Sequence, residues 1–449
     1  MSYSITTNLI ETGEEWVDRI PSTWALKRFK YCSPLVVEKA VGNGELPYVG
    51  LENVESWTGR YKEATEEKPD AAANRFACGD VLFGKLRPYL AKVLKPNFEG
   101  RCTGELLVLR PKLLDGRYLQ YLLLSDNFIR NVDASTYGAK MPRAEWGFIG
   151  NLKSPIPPRP KQTAIADFLD RETARIDALI AKEERLLGLL EEKRTALISD
   201  VVTGKVTFGV RKHVSALDQG DMSPQTESGD MSPHSKLRPR QNADLSGVAS
   251  AKTELKDSGI EWLGRIPKDW EVKKLKYIAR LQSGDFITTL DFDEEGEFPV
   301  YGGNGLRGYC SKYNRDGEYA LIGRQGQHCG NVHHAKGKIW ASEHAVVATA
   351  LRNINVVWMV EILRAMNLNQ YSISAAQPGL AVDRIINLFV PVPNESDQVE
   401  IAGFISAQTA RFDALRTKIN RAIELLREKR TALISAAVTG KIEIEGGKS

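Results

Sequence analysis

The segment EKRTALISDVVTGKV, from Glu192 to Val206, returns as EKRTALISAAVTGKI, from Glu428 to Ile442, with twelve of fifteen positions identical and an offset of 236 residues. A match of that length in ordinary, non-repetitive sequence means duplication. The repeat extends outward at the same offset: PIPPRPKQTAIADFLDRETARIDAL (Pro155 to Leu179) answers to PVPNESDQVEIAGFISAQTARFDAL (Pro391 to Leu415). A further pair lies near the start of each half, EWVDRIPSTWALKRFKY (Glu15 to Tyr31) and EWLGRIPKDWEVKKLKY (Glu261 to Tyr277), at an offset of 246. The period is far too long for a solenoid. Each half reads as a tryptophan-bearing opening segment, a variable body, a proline bracket and a long helix. The bodies differ greatly, so the halves share a frame and not a surface.

The helices are legible from their apolar spacing. Ile165, Leu169, Ile176, Leu179, Leu186 and Leu190 form one seam; Ile401, Ile405, Phe412, Leu415, Ile419, Ala422 and Leu426 form the other. Glu172 and Glu183 interrupt the first. Asp397 and Glu400 suggest a capping box for the second helix, and the prolines before each helix end the preceding segment. Some 40 residues at ~1.5 Å each give roughly 60 Å per helix. Two such stripes in one chain are expected to pack on each other, antiparallel if a pseudo-twofold axis relates the halves. The alternative is that each helix packs only on its own body.

With 449 residues the chain has room for two or three domains. We divide it into a first body at 1–158, a helix at 159–205, a polar linker at 206–256, a second body at 257–394, a second helix at 395–440 and a tail at 441–449. Gly209 to Ile260 holds no Phe, Tyr or Trp and contains GDMSP twice, which suits a flexible linker. Hydrophobic content of 42% with 26% charged residues fits a soluble globular protein. No apolar run is long enough to span a membrane, and the N-terminal residues lack the pattern of a signal peptide. Five scattered cysteines without a CxxC pair suit reduced thiols in a cytoplasm. A net charge of +4 permits a nucleic-acid partner without requiring one.

The bodies read as mixed but strand-rich, with short β-type runs such as GDVLFGKL, GRCTGELLVLRP, EFPVYGG and GEYALIGRQG. GGNGLRG matches GxGxxG at Gly303, Gly305 and Gly308, but turns and strand follow it where a dinucleotide site needs a helix, so we read a glycine-rich turn. His328, Cys329, His333, His334 and His344 cluster in the second half in no common zinc spacing. No catalytic triad, methylase or nuclease motif is visible. The basic segments remain. FGKLRPYLAK carries Lys85, Arg87, Tyr89 and Lys92; YGAKMPRAEW adds Lys140 and Arg143. The second half carries Arg307 in its glycine turn, Arg324, Gln325 and Gln327 in LIGRQGQHCGN, and Lys338 in AKGKIW. Arg suits guanine, Gln suits adenine and Lys neutralises phosphate, so these are the candidate DNA-binding residues. Each alone reads better as a solvated basic surface; it is their presence in both halves that favours the nucleic-acid reading.

The sequence resembles the specificity subunits of type I restriction–modification systems, over nearly the whole chain except the linker. SGIEWLGRIPKDWEVKKLK resembles the start of a target recognition domain, and GDVLFGKLRPYLAK a stretch within one class of them. PVYGGNGLRGY, GEYALIGRQGQHCGNV and IWASEHAVV resemble another class. EKRTALISxxVTGK after PxPxxxxQ resembles the family's helical regions. The resemblance implies an α+β fold: two tandem, mixed α/β, strand-rich target recognition domains joined by two long helices packed as an antiparallel coiled coil. It implies a non-catalytic subunit whose two domains each read half of a bipartite site in double-stranded DNA while the helices set the gap. It also implies two methyltransferase subunits as partners, which hold the S-adenosylmethionine, with translocating restriction subunits joining them. No cofactor is expected on this chain. The competing readings are a metal-dependent hydrolase centred on the His/Cys cluster and a helical scaffold that does not touch DNA.

Overall fold

The computed structural model describes residues 3–40, 46–63, 73–137, 140–206, 254–372 and 379–444. The stretch read as a linker, GDMSP doublet included, lies almost wholly outside them. Both long helices are present: α1 spans Arg159–Val202 and α2 spans Glu395–Val438, 44 residues each. Pro160 sits in the first turn of α1, where a missing N–H costs nothing. The start of α2 differs from the expected box. The helix begins two residues before Asp397, and the Asn394 side chain accepts from the Asp397 N–H at 2.9 Å. Both helices end alike. Gly204 and Gly440 take φ of +76° and +73°. The next N–H groups, of Lys205 and Lys441, close on Asp200 and Ala436 carbonyls at 2.9 Å. This is the Schellman closure, and it explains the glycine in the repeated VTGK. Among the described residues no helix is long and apolar enough to cross a membrane.

The chain divides into two compact units, Met1–Leu187 with Thr417–Ser449, and Gly188–Arg416. Each unit therefore holds one body, the first part of the helix that follows it, and the last part of the other helix.

In the first unit Trp16, Phe29 and Phe128 stack in the core with Leu119 and Leu122. Ile165, Phe168 and Leu169 from the start of α1 join it, as do Ile434, Ala437 and Val438 from the end of α2. Tyr118, fully buried, donates its hydroxyl to the Val438 carbonyl at 2.9 Å. The strand Ile442–Ile444 pairs antiparallel with Tyr3–Ile5. The helices run antiparallel here: Asp177 of α1 meets Arg430 of α2 at 2.9 Å, and Glu184 meets Arg427 at 3.1 Å. Two four-stranded sheets share a second core of Phe76, Leu82, Cys102 and Leu106. One sheet contains Val81–Gly84 and Leu106–Leu109, the other Gly100–Cys102.

In the second unit one six-stranded sheet dominates. Its strands are β1 (Ala279–Ser283), β2 (Phe298–Gly302), β3 (Gly305–Cys310), β4 (Arg315–Gly323), β5 (Val332–Ala341) and β6 (Ala345–Ala350), in the spatial order β1-β6-β4-β5-β2-β3. The helix Val356–Ala365 covers it with Trp358, Met359 and Ile362. Ile401 and Ile405 from the start of α2 and Ile198, Val201 and Val202 from the end of α1 complete that core around Ile266 and Trp270.

The frame is thus the same twice, at the offset of 236. Ile165 and Ile401, Leu169 and Ile405, Ile176 and Phe412, Ile198 and Ile434, and Val202 and Val438 are all buried. One polar pair repeats as well. Gln162 accepts from the Asp115 N–H at 2.6 Å and donates to the Pro157 carbonyl at 2.9 Å; Gln398 accepts from Asn355 and donates to Pro393, both at 2.9 Å. Asp115 and Asn355 each precede the body helix packed on the frame. The seams differ from expectation in their middles. Leu179, Leu186 and Leu415 are exposed.

Candidate nucleic-acid interface

In the first body the strand Val81–Gly84 runs into the segment Lys85–Lys92. Arg87 and Ala91 take left-handed φ values of 51° and 44° around the turn Pro88–Leu90. Such backbone costs about 1–3 kcal/mol per residue and survives where its surroundings fix it. Here they do: the Arg87 N–H donates to the Pro142 carbonyl at 2.8 Å, the Ala144 N–H to the Lys85 carbonyl at 2.9 Å, and the Trp57 N–H to the Ala91 carbonyl at 3.1 Å. The structure thereby joins two segments read separately, bringing Lys85 and Arg87 beside Lys140 and Arg143. Arg87, Tyr89 and Lys140 are exposed. Arg143 is partly neutralised, its guanidinium forking onto Glu105 at 3.2–3.3 Å. Lys92 serves otherwise. Its ammonium donates to the Val54 and Leu51 carbonyls, and burial lowers its pKa. It ties the 51–54 turn to the strand.

In the second body GGNG is a hairpin tip: Gly302 pairs with Gly305 between β2 and β3, so GxGxxG is not a nucleotide cradle. The loop 324–331 joins β4 to β5 and carries Arg324, Gln325 and Gln327. The tip and this loop touch backbone to backbone. A Cβ on Gly323 would stand 2.3 Å from the Gly303 carbonyl oxygen and 2.4 Å from that of His328. The Arg324 N–H donates to the His344 carbonyl at 2.9 Å, and its guanidinium to Ser283 at 3.2 Å. Gln325, Gln327 and His328 are exposed. Arg307, on β3, lays its guanidinium 5.5 Å from the Phe292 ring centroid. Lys338 stands apart from this face. It lies six residues along β5 from Val332, roughly 20 Å at strand rise, opposite Asp316, with its ammonium 4.8 Å from the Tyr313 ring centroid.

The His/Cys cluster does not converge. His334 meets Glu318 at 2.8 Å, the Cys329 thiol donates to the Arg324 carbonyl, and His344 meets Glu343 at 3.2 Å. Burial, aided by Arg364 and His328, holds the His333 imidazole below its usual pKa. Among the described residues no group of three or more His, Cys, Asp or Glu could hold a metal ion.

Two residues missed by the sequence reading belong to the second face. Asn304 at the hairpin tip and Asn331 at the end of the loop are both exposed, and Asn331 Nδ2 donates to Asn304 Oδ1 at 3.3 Å. Their signal was the Gly-Asn dipeptide, present once in each glycine-rich segment; the first was read as a glycine-rich turn and the second drew no reading.

Known proteins share this architecture. Residues 267–425 match the family model of the type I restriction modification DNA specificity domain. The type I restriction enzyme EcoprrI specificity subunit of Escherichia coli is 42% identical over 151 residues, which cover 33% of this chain and 37% of that protein. The EcoDI specificity subunit of Escherichia coli is 22% identical over 209 residues, 45% of this chain and 47% of that protein. The chain thus spans less than half the length of either relative. A chain from a solved structure described as the basis of complex assembly and conformational transition of the type I R-M system superposes with a TM-score of 0.61 at 17% identity. That superposition covers 94% of this chain and 99% of the other, a likeness of fold. The chain is therefore similar, over residues 267–425, to the type I restriction modification DNA specificity domain, and it shares its fold with a chain of a type I R-M system.

Proposed function

We propose that the chain is the DNA-reading, non-catalytic subunit of such a system, each body taking one half of a bipartite site. The observation that carries this reading is the reciprocal frame. Both units bury the same helix positions at the 236 offset, while a two-sheet body in one and a six-stranded sheet in the other present unlike loops. Like frames suit two copies of one partner, and unlike loops suit unlike half-sites. The partners are two methyltransferase subunits, whose S-adenosylmethionine supplies the methyl group, together with translocating restriction subunits. The basic loops supply phosphate and base contacts. In this reading α1 and α2 set the gap between half-sites. Seven residues inserted near Leu187 and again near Ile423 keep the heptad register and add ~10 Å, about three base pairs at roughly 3.4 Å each. Methylation mapped with the lengthened chain should show unchanged half-sites around a wider gap. An active complex that keeps the original gap refutes the spacer role.

A further inference from the structure

The glycine-rich segments of the second body lie directly against each other. Gly303 and Gly323 approach more closely than any side chain permits, the Gly323 N–H donates to the Asn331 carbonyl at 2.8 Å, and the Gly330 N–H donates to the Gly323 carbonyl at 2.8 Å. The hairpin tip therefore lies against the strand end that opens the 324–331 loop, and that loop is closed by its own backbone bonds. Asn304 projects from that tip, exposed, and its Oδ1 already accepts from Asn331 Nδ2. The bond fixes which way the Asn304 amide faces. It leaves Nδ2 as a donor and a second lone pair of Oδ1 as an acceptor. A donor beside an acceptor complements the N7 and N6–H2 groups of adenine in the major groove.

We propose that Asn304 is a base-reading residue of the second body, specific for adenine, and that Asn331 is its positioning residue. The proposal rests on the half-site reading above. It adds a side chain one methylene shorter than Gln325 or Gln327, already oriented before DNA arrives, so little side-chain freedom is lost on contact.

The test uses the full chain assembled with its methyltransferase subunits, with methylated sites read by sequencing. The wild-type complex is mapped first. N304A should relax one A·T position of one half-site by roughly tenfold to a hundredfold, with the other half-site and the gap unchanged. N304D keeps the acceptor and loses the donor, so the same position should move toward cytosine, whose N4 donates. N331A should relax that same position to a smaller extent. A purely structural role would lower methylation of all sequences alike and leave the motif intact. An unchanged motif in N304A, or a uniform loss in both N304A and N304D, overturns the proposal. N331A acting at a different position overturns the positioning role. A wild-type complex without a bipartite motif overturns the half-site reading itself, and is seen before any variant is made.

Discussion

Gly440→Ala is the sharpest probe of the reciprocal frame. Gly440 sits at φ +73°, where a Cβ costs about 1–2 kcal/mol. That Cβ would also stand 2.4 Å from Pro21 Cδ and 2.9 Å from the Trp24 ring, both in the opening segment of the first body. Relieving such overlap in a packed site costs about 1–3 kcal/mol, so the sum is about 2–5 kcal/mol. Against the roughly 5–15 kcal/mol that holds a typical domain, this is a large loss. Gly204 is the counterpart, at φ +76° with its Cβ 2.4 Å from Pro267 Cδ and 3.0 Å from Trp270. Denaturant unfolding gives the magnitude, and hydrogen exchange gives the place. G440A should raise exchange in Val17–Pro21 and leave Arg265–Pro267 protected; G204A should do the reverse. Gly188 and Gly403 are the controls, since they lie inside α1 and α2 with no neighbour within 4 Å of a built Cβ. Alanine there should stabilise by about 0.5–1 kcal/mol. A loss under about 0.5 kcal/mol in G440A, or loosening of the second unit by it, would refute the assignment of the chain's last segment to the first body.

Other expectations can be checked in parallel. Arg87→Ala and Arg324→Ala should each cost about 1–3 kcal/mol of discrimination if they touch bases, and each should relax one half-site only; methylated motifs of the two variants decide. Lys92→Ala should leave the salt dependence of DNA binding unchanged, because its ammonium is held by backbone carbonyls, whereas loss of a phosphate contact lowers the slope by about one. Gln162→Ala and Gln398→Ala each strand a half-buried N–H and a buried carbonyl, at about 1–3 kcal/mol for the buried carbonyl in thermal or urea melts. A double-mutant cycle on Asp177 and Arg430 should show coupling well above that of an exposed pair, since both side chains are largely buried, at 13% and 8% exposure.

The frame was legible because duplication exposes it. Repeated phrases marked the helices, their proline starts and their glycine ends, and helical periodicity located the buried positions Ile165, Leu169, Ile401 and Ile405. Periodicity did not show where burial stops. Leu179 and Leu415 keep the apolar spacing yet are exposed. Nor could linear order show which body EKRTALIS and VTGK serve; in the first unit that contact joins residues some 300 apart, as Tyr118 and Val438 do. The candidate site was legible by residue type and not by grouping. Loop pairing through Pro142 and Ala144 gathers Arg87 with Arg143, while strand register carries Lys338 away from Arg324. Asn304 was passed over because Gly-Asn in a turn has an adequate local explanation, and Asn331 because its bond to Asn304 joins segments 27 residues apart.

In the proposed function, two unlike bodies on one repeated frame read two separate DNA half-sites. Mapping methylated positions in cells that express this chain with its methyltransferase subunits tests it most directly. The expected result is a single motif of two defined parts separated by a fixed, unspecified gap, lost when the chain is omitted. One continuous motif, or methylation that does not depend on the chain, would contradict it.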